Sequence, residues 1–260
     1  FTAGDVSRSE LEPLLVAAFG GWADAAAPAA PSVAPAAGRG KGLRVLVHDV
    51  PDSPQVVVRA MFPAAPYAAP ERLPLEAVNA LLGGMFTSRL NANLREAKGW
   101  TYGIGSGLAL LRDEGAWVVS SSVRAGAAVP AAKEVLAERT RLAAGDISPE
   151  EARKASSSEF QGAVDGSSTL AGLLGQLAEA ARHGRGAEAL GQDIAEQQAG
   201  WDATRLNEVA RKALAAGDVL LVLVGDRASI LGQLEGSGLP APVLVNAQGE
   251  PLEAAAPAGR

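Results

Sequence analysis

Strand-like and helix-like runs follow one another in this chain in an order that leaves few folds open. Two strand candidates come early, "LRVLVHDV" (43–50), which alternates, and "PQVVVRAMF" (54–62), rich in β-branched residues. "TYGIGSGLALL" and "GAWVVSSSVRA" then read as a hairpin turning at "RDEG". Helical patterns fill the chain from about 128 to 214, and only afterwards comes "DVLLVLVGD" (218–226), apolar between its terminal aspartates like a buried strand. Strands, then helices, then a strand again imply an α+β fold, one mainly antiparallel sheet covered by helices.

Further helical patterns lie at about 69–83 and 87–98, and one helix spans 128–144. "SPEE" (148–151) is a capping box with Ser148 as N-cap, Pro149 at the first helical position and Glu151 reaching back. Breaks fall at "DGSS" and "HGRG", and a short helix and the strand "PVLVN" complete the pattern. At the front, "FTAGDV" reads as the end of a strand and a turn. Residues 7–22 follow as a helix capped by Ser7 or Ser9, with Leu11, Leu14, Leu15 and Phe19 on one face. Residues 23–42 are nearly all Ala, Pro and Gly, a linker that cannot build a core. The domain reading is therefore a strand-helix tail over 1–22, a linker over 23–42 and an α+β domain over 43–260. "TAGDVSRSELEPLL" also echoes "LVGDRASILGQLEG" near the other end. A repeat would make residues 1–22 the tail of an earlier, similar domain, and the chain a processed or excised piece.

Composition removes several kinds of chemistry. With 260 residues and 48% apolar content the chain can bury a sizeable core. It has no cysteine, which excludes disulfides, thiolate catalysis and Cys-type zinc sites. The net charge is −6 and the basic residues are scattered, so nucleic acid is not an expected partner. No run approaches the length of a membrane span. The two histidines, His48 and His183, belong to no H-E-x-x-H or H-x-x-E-H, and a catalytic zinc site needs three ligands in fixed geometry. His48 reads as a strand-face residue and His183 as a helix C-terminal one. There is no G-x-S-x-G elbow, and neither "GIGSG" nor "GRGKG" has the context of a phosphate loop.

What remains is "LNANLREAKGWTYGIGSG" (90–107). Leu90 and Leu94 define an apolar helix face, with Arg89, Arg95 and Glu96 off it. Arg95 lies near the helix end, Gly99 stops the helix, and a strand starts at about Thr101. Such a junction can aim Arg95 and Tyr102 into one space. Gly103, Gly105 and Gly107 bare one strand face to another backbone or a ligand, while Tyr102, Ile104 and Ser106 share the opposite face. The same residues also read as an ordinary surface arginine and a strand tyrosine with its hydroxyl in water, and the pattern alone keeps both readings open.

"LLGGMFTSRLNANLREAKGWTYGIGSG" resembles a segment of the insulinase/pitrilysin-type zinc peptidases, with the pattern L-G-G-x-x-x-S-R-L-x-x-x-L-R-E-x-x-G-x-x-Y. "GDVSRSELEPLLVAAFGGW", "PDSPQVVVRAMFPA" and "VLLVLVGD" resemble the family's inter-domain segment, the opening strand of a second domain and its closing strand, in the right order. The resemblance implies two α/β domains per half and two halves closing around a chamber. It places zinc, held by H-x-x-E-H and a downstream glutamate, in the other half. Arg95 and Tyr102 would then be auxiliary catalytic residues, binding a peptide substrate and stabilising the oxyanion. The implied partner is a zinc-bearing catalytic half or subunit, and this chain would be the non-zinc C-terminal domain of its own half. The resemblance equally admits a catalytically silent structural or assembly subunit of the same fold. A small-molecule domain using the glycine face is a third reading. The Ala- and Gly-rich composition is compatible with a high-GC bacterium, and the sequence names no compartment.

Overall fold

The computed structural model of the protein describes residues 2–22, 41–215 and 217–252. Six strands form its sheet: β1 (Leu43–Asp49), β2 (Gln55–Ala64), β3 (Thr101–Leu110), β4 (Gly115–Arg124), β5 (Val219–Gly225) and β6 (Val243–Val245). Their order is β3-β4-β2-β5-β1-β6. Among the described residues, β3–β4, β4–β2 and β2–β5 are antiparallel, while β1 runs parallel to β5 and β6. The late apolar strand returns to the middle of the sheet, as its composition required, with Leu221 and Leu223 fully buried.

Strict alternation explains which face is covered. Val56, Val58, Ala60 and Phe62 of β2 are buried, while Gln55, Val57 and Arg59 between them are exposed. Helices lie over the buried face: α2 (Arg72–Asn79) against β3, and α3 (Ala128–Ala144) against β2 and β4. α4 (Pro149–Ser167), α5 (Leu170–Arg182), α6 (Glu188–Ala199) and α7 (Ala203–Ala213) pack mainly on one another and on α2 and α3. α8 (Arg227–Leu234) closes the layer over β1 and β5. Trp117 is fully buried at the centre, edge-on to Phe62, and its indole N–H donates to Asn79 Oδ1 at 2.8 Å.

Local signals set most helix ends. α3 has the span read from sequence and ends at Gly145, whose φ of 80° suits a residue without Cβ. Ser148 and Glu151 form the reciprocal cap of α4. The breaks near 165–168 and 183–186 are present, and a third, at Gly200–Asp202, was not read from the sequence. There Gly200 has φ 70°, and the Asp202 side chain accepts the Arg205 N–H at 2.8 Å to start α7.

Three further expectations are adjusted. The helical patterns at 69–83 and 87–98 are there, but α2 widens into a π turn over Ala80–Gly84, and the second is π-helical over Asn91–Ala97. Glycine is needed in the first of these: a Cβ on Gly83 would lie 2.8 Å from the Ser106 amide nitrogen. Residues 2–7 form no strand, since a strand exists only by pairing and none pairs with them among the described residues. The helix α1 (Arg8–Phe19) does form, with a complete capping box on Ser7 and Glu10. Phe1 and all but the last two residues of the expected linker 23–42 lie outside the described residues.

Candidate functional site

The site is built on the junction between the π-helical segment Asn91–Ala97 and β3. Leu90 and Leu94 are fully buried, as their spacing predicts, and they root the helix in the core. Gly99, at φ 60°, turns the chain out, and the Trp100 N–H closes the end by donating to the Leu94 carbonyl at 2.9 Å.

Asn91 ties the helix to the strand. Its side-chain carbonyl accepts the Ile104 N–H at 3.1 Å, and its amide donates to the Ile104 carbonyl at 2.8 Å. In this way a side chain completes the inner edge of β3 where no strand pairs with it. Asn91 is 7% exposed, so these bonds do not compete with bulk water. Asn91→Ala leaves both Ile104 groups without partners and lowers stability by about 2 kcal/mol, measurable by urea unfolding.

A bulge in β3 decides where Tyr102 points. Thr101 pairs with Val123 but Ile104 with Ser121, so β3 carries one extra residue. Thr101 Oγ1 accepts the Gly103 N–H at 3.1 Å, and the Ser121 hydroxyl lies 2.9 Å from the Gly103 carbonyl oxygen. Simple alternation would put Tyr102 on the covered face with Ile104. The bulge instead leaves it 94% exposed, while Ile104 is 4% exposed.

Arg95 and Tyr102 are brought together. The Arg95 guanidinium lies 5.6 Å from the Tyr102 ring centroid and 4.1 Å from that of Phe86. Glu96 is its ion-pair partner at 3.3 Å, and that exposed carboxylate restrains it weakly. The Tyr102 hydroxyl makes no hydrogen bond among the described residues. The result is a cation held between two rings beside a free phenol, two donors suited to a carbonyl or oxyanion. Phe86 and Asn91 were not identified from the sequence. The only signal for Phe86 was an aromatic in a chain with 4% aromatic content.

The glycine face is open at Gly105 and Gly107, where a Cβ would meet nothing within 4 Å, whereas at Gly103, inside the bulge, it would lie 3.8 Å from Asn91 Oδ1. The histidines are where the sequence put them, each with its own partner. His48 Nδ1 on β1 is 3.1 Å from the Val245 carbonyl oxygen. His183 caps the C-terminus of α5, hydrogen-bonded to Glu179 and stacked on Tyr67. Among the described residues no three His, Asp or Glu side chains are arranged to hold a metal ion, so this donor set does not fit a zinc site. No helix among them is long and apolar enough to cross a membrane.

Comparison with known proteins identifies the family and the fold. Residues 1–158 match the peptidase M16 inactive domain. No curated protein matches. Among solved structures the chain is similar to a peptidase M16 inactive domain from Pseudomonas fluorescens (21% identity, TM-score 0.68, covering 86% of this chain and 52% of that one). It is also similar to a protease from Helicobacter pylori (19%, TM-score 0.71, 85% and 53%). A third likeness is to the periplasmic protease PqqL from Escherichia coli (16%, TM-score 0.63, 86% and 25%). At these identities the likeness is one of fold, and the chain spans about half the length of the first two structures.

Proposed function

We propose a function from one premise: the chain belongs to the peptidase M16 family, as its inactive domain. The function is that of a non-zinc-binding C-terminal domain in a zinc-dependent endopeptidase, forming part of a chamber shared with a zinc-bearing catalytic half. The observation that carries this reading is the pair of half-buried Arg95 and exposed Tyr102, held side by side at the mouth of the bare glycine strand. Peptide hydrolysis builds negative charge on the scissile carbonyl oxygen. A phenol and a guanidinium, one neutral and one permanently cationic, are donors matched to that charge and to neighbouring substrate carbonyls. The zinc of the partner half would supply the activated water. This chain binds and orients substrate and steadies the developing oxyanion.

The division of the chain is part of the same proposal. Leu14, Val16, Phe19 and Trp22 in and after α1 are exposed, at 65%, 62%, 50% and 77%. Counted from their N-caps Ser7 and Asp226, Leu11 and Leu15 of α1 correspond to Ile230 and Leu234 of α8, which are buried against the sheet. α1 therefore has the side chains of a helix that closes a sheet, and we assign it to a preceding domain of the same kind.

The test is a reconstitution. The half containing this chain is mixed with the zinc-bearing half, and cleavage of a fluorogenic peptide is followed. Cleavage is expected to need both. Cleavage by the zinc half alone at the same rate would overturn the proposal, and no cleavage by any combination would favour a structural or assembly subunit.

A further inference from the structure

Away from Arg95 and Tyr102, a cavity of about 480 Å³ opens between α2, α4, α5 and α6, beneath the far end of β3. That is the size of a small-molecule site. Leu73, Leu108, Ala163 and Ile194 supply apolar wall. Its polar groups are unevenly satisfied. Arg72 donates to Glu76 at 3.1 Å and also pairs with Asp193. Asp193 accepts two further bonds from Arg185, both at 2.7 Å. From α5, Glu179 is engaged by His183 and Arg182. The cations around the cavity are thus committed.

Two groups are left over. Glu159, on α4, has no hydrogen bond or ion pair among the described residues. Burial, then the charge of Glu76, pushes its carboxyl up to about 7. Gln197, on α6, is only 9% exposed, lines the cavity, and makes no side-chain hydrogen bond among the described residues. Its amide is open to the cavity and offers both a donor and an acceptor to a molecule bound there. The titratable and amide groups that line the cavity with Glu159 are Tyr67, then Arg72, Glu76 and Asn79 from α2, Gln176 and Glu179 from α5, and Asp193 and Gln197 from α6.

We propose that this cavity binds a small aliphatic cation, a primary ammonium or a guanidinium on a short apolar arm. Glu159 and Glu76 receive the charge, and the Gln197 carbonyl accepts a hydrogen bond. The assignment follows from the sign of what is missing. A neutral or anionic ligand would leave Glu159 uncompensated beside Glu76, whereas a cation offsets both carboxylates and its arm covers the apolar wall. A metal ion is disfavoured, since no three ligands converge among the described residues.

The experiment is calorimetric titration of the full chain with n-pentylamine near neutral pH, in two buffers of different ionisation enthalpy, with n-pentanol as the uncharged control. Saturable binding of the amine is expected, with proton release, because the incoming charge lowers the pKa of Glu159. Glu159→Gln is expected to weaken binding about tenfold or more and abolish the proton release. Gln197→Leu is expected to weaken binding without removing it. Wild-type binding should also tighten from about pH 6 to about pH 8, a readout that needs no variant. Equal affinity for pentanol, no binding of the amine, or wild-type binding by a folded Glu159→Gln chain would each overturn the proposal.

Discussion

Replacing Tyr102 by Phe, or Arg95 by Ala, lowers peptide cleavage by the assembled peptidase on the order of a hundredfold, mostly in kcat, and Tyr102→Phe leaves the unfolding midpoint of this chain unchanged. The two halves of this expectation have different physical origins. Stability is unaffected because Tyr102 is 94% exposed and its hydroxyl has no partner among the described residues, so removing the oxygen breaks nothing in the fold. In the proposed role activity falls because a donor to the developing oxyanion, enclosed once the two halves close around substrate, would be worth a few kcal/mol of barrier. Phe at 102 keeps the ring against which Arg95 rests, so its effect isolates the hydroxyl. Lys at 95 keeps the charge but not the planar fork or the stacking on Phe86, and recovers part of the loss at most. Wild-type kinetics in both Tyr102→Phe and Arg95→Ala would reduce this junction to a wall of the chamber.

The second large effect concerns Arg89, which the sequence grouped with Arg95 as off the apolar face. Its guanidinium is 10% exposed and bound on every side. It donates twice to Glu151 at 2.7 and 2.8 Å, to Asp146 Oδ1 at 2.6 Å and to the Asp146 carbonyl at 3.3 Å. Glu138, 8% exposed, lies 3.8 Å away. Arg89→Met therefore leaves Glu138 and Asp146 with Arg141, leaves Glu151 with no cation among the described residues, and costs about 3–5 kcal/mol at neutral pH. The pH dependence follows from Glu151. Burial pushes its pKa up, but the hydrogen bonds and charge of Arg89, with those of Ser148, bring it below the usual carboxylate value. A depressed folded pKa stabilises above the unfolded value, and that contribution is lost as pH falls through the folded pKa. Without Arg89 the burial cost is uncompensated, so the gap between wild type and variant is widest at neutral pH. It narrows as acid protonates the cluster. Chemical unfolding across pH measures this directly, and a gap that widens toward acid would contradict the assignment.

Arg89 and Arg95 show how far sequence reading reached. Both flank the same Leu90–Leu94 stripe, and nothing local separates an arginine that holds α4 to the core from one that lies against the exposed rings of Phe86 and Tyr102. Partners fifty and more residues away make that distinction. Tyr102 is similar. Its proximity to Arg95 was legible, because a glycine stop between a helix and a strand brings the flanking side chains together. Its orientation was not, since it depends on a bulge measured against β4. Asn91 looked like one more polar helix residue until Ile104 was seen beside it, and the cavity at Glu159 joins four helices separated in the chain.

The sequence by itself determined what short-range physics controls. It placed the strands by alternation, the start of α4 by its capping box, the ends of helices by Gly99 and Gly145, and the site junction by the order of these signals. It also carried the family, because those signals recur in a fixed order and spacing. Tertiary structure decided the order of strands in the sheet and the π widening at Gly83 and Asn91. It also decided the turn of Tyr102 to the outside and the burial of Arg89. Each of these depends on a contact between residues distant in the chain, and such contacts are settled by packing one element against another, which no local propensity encodes.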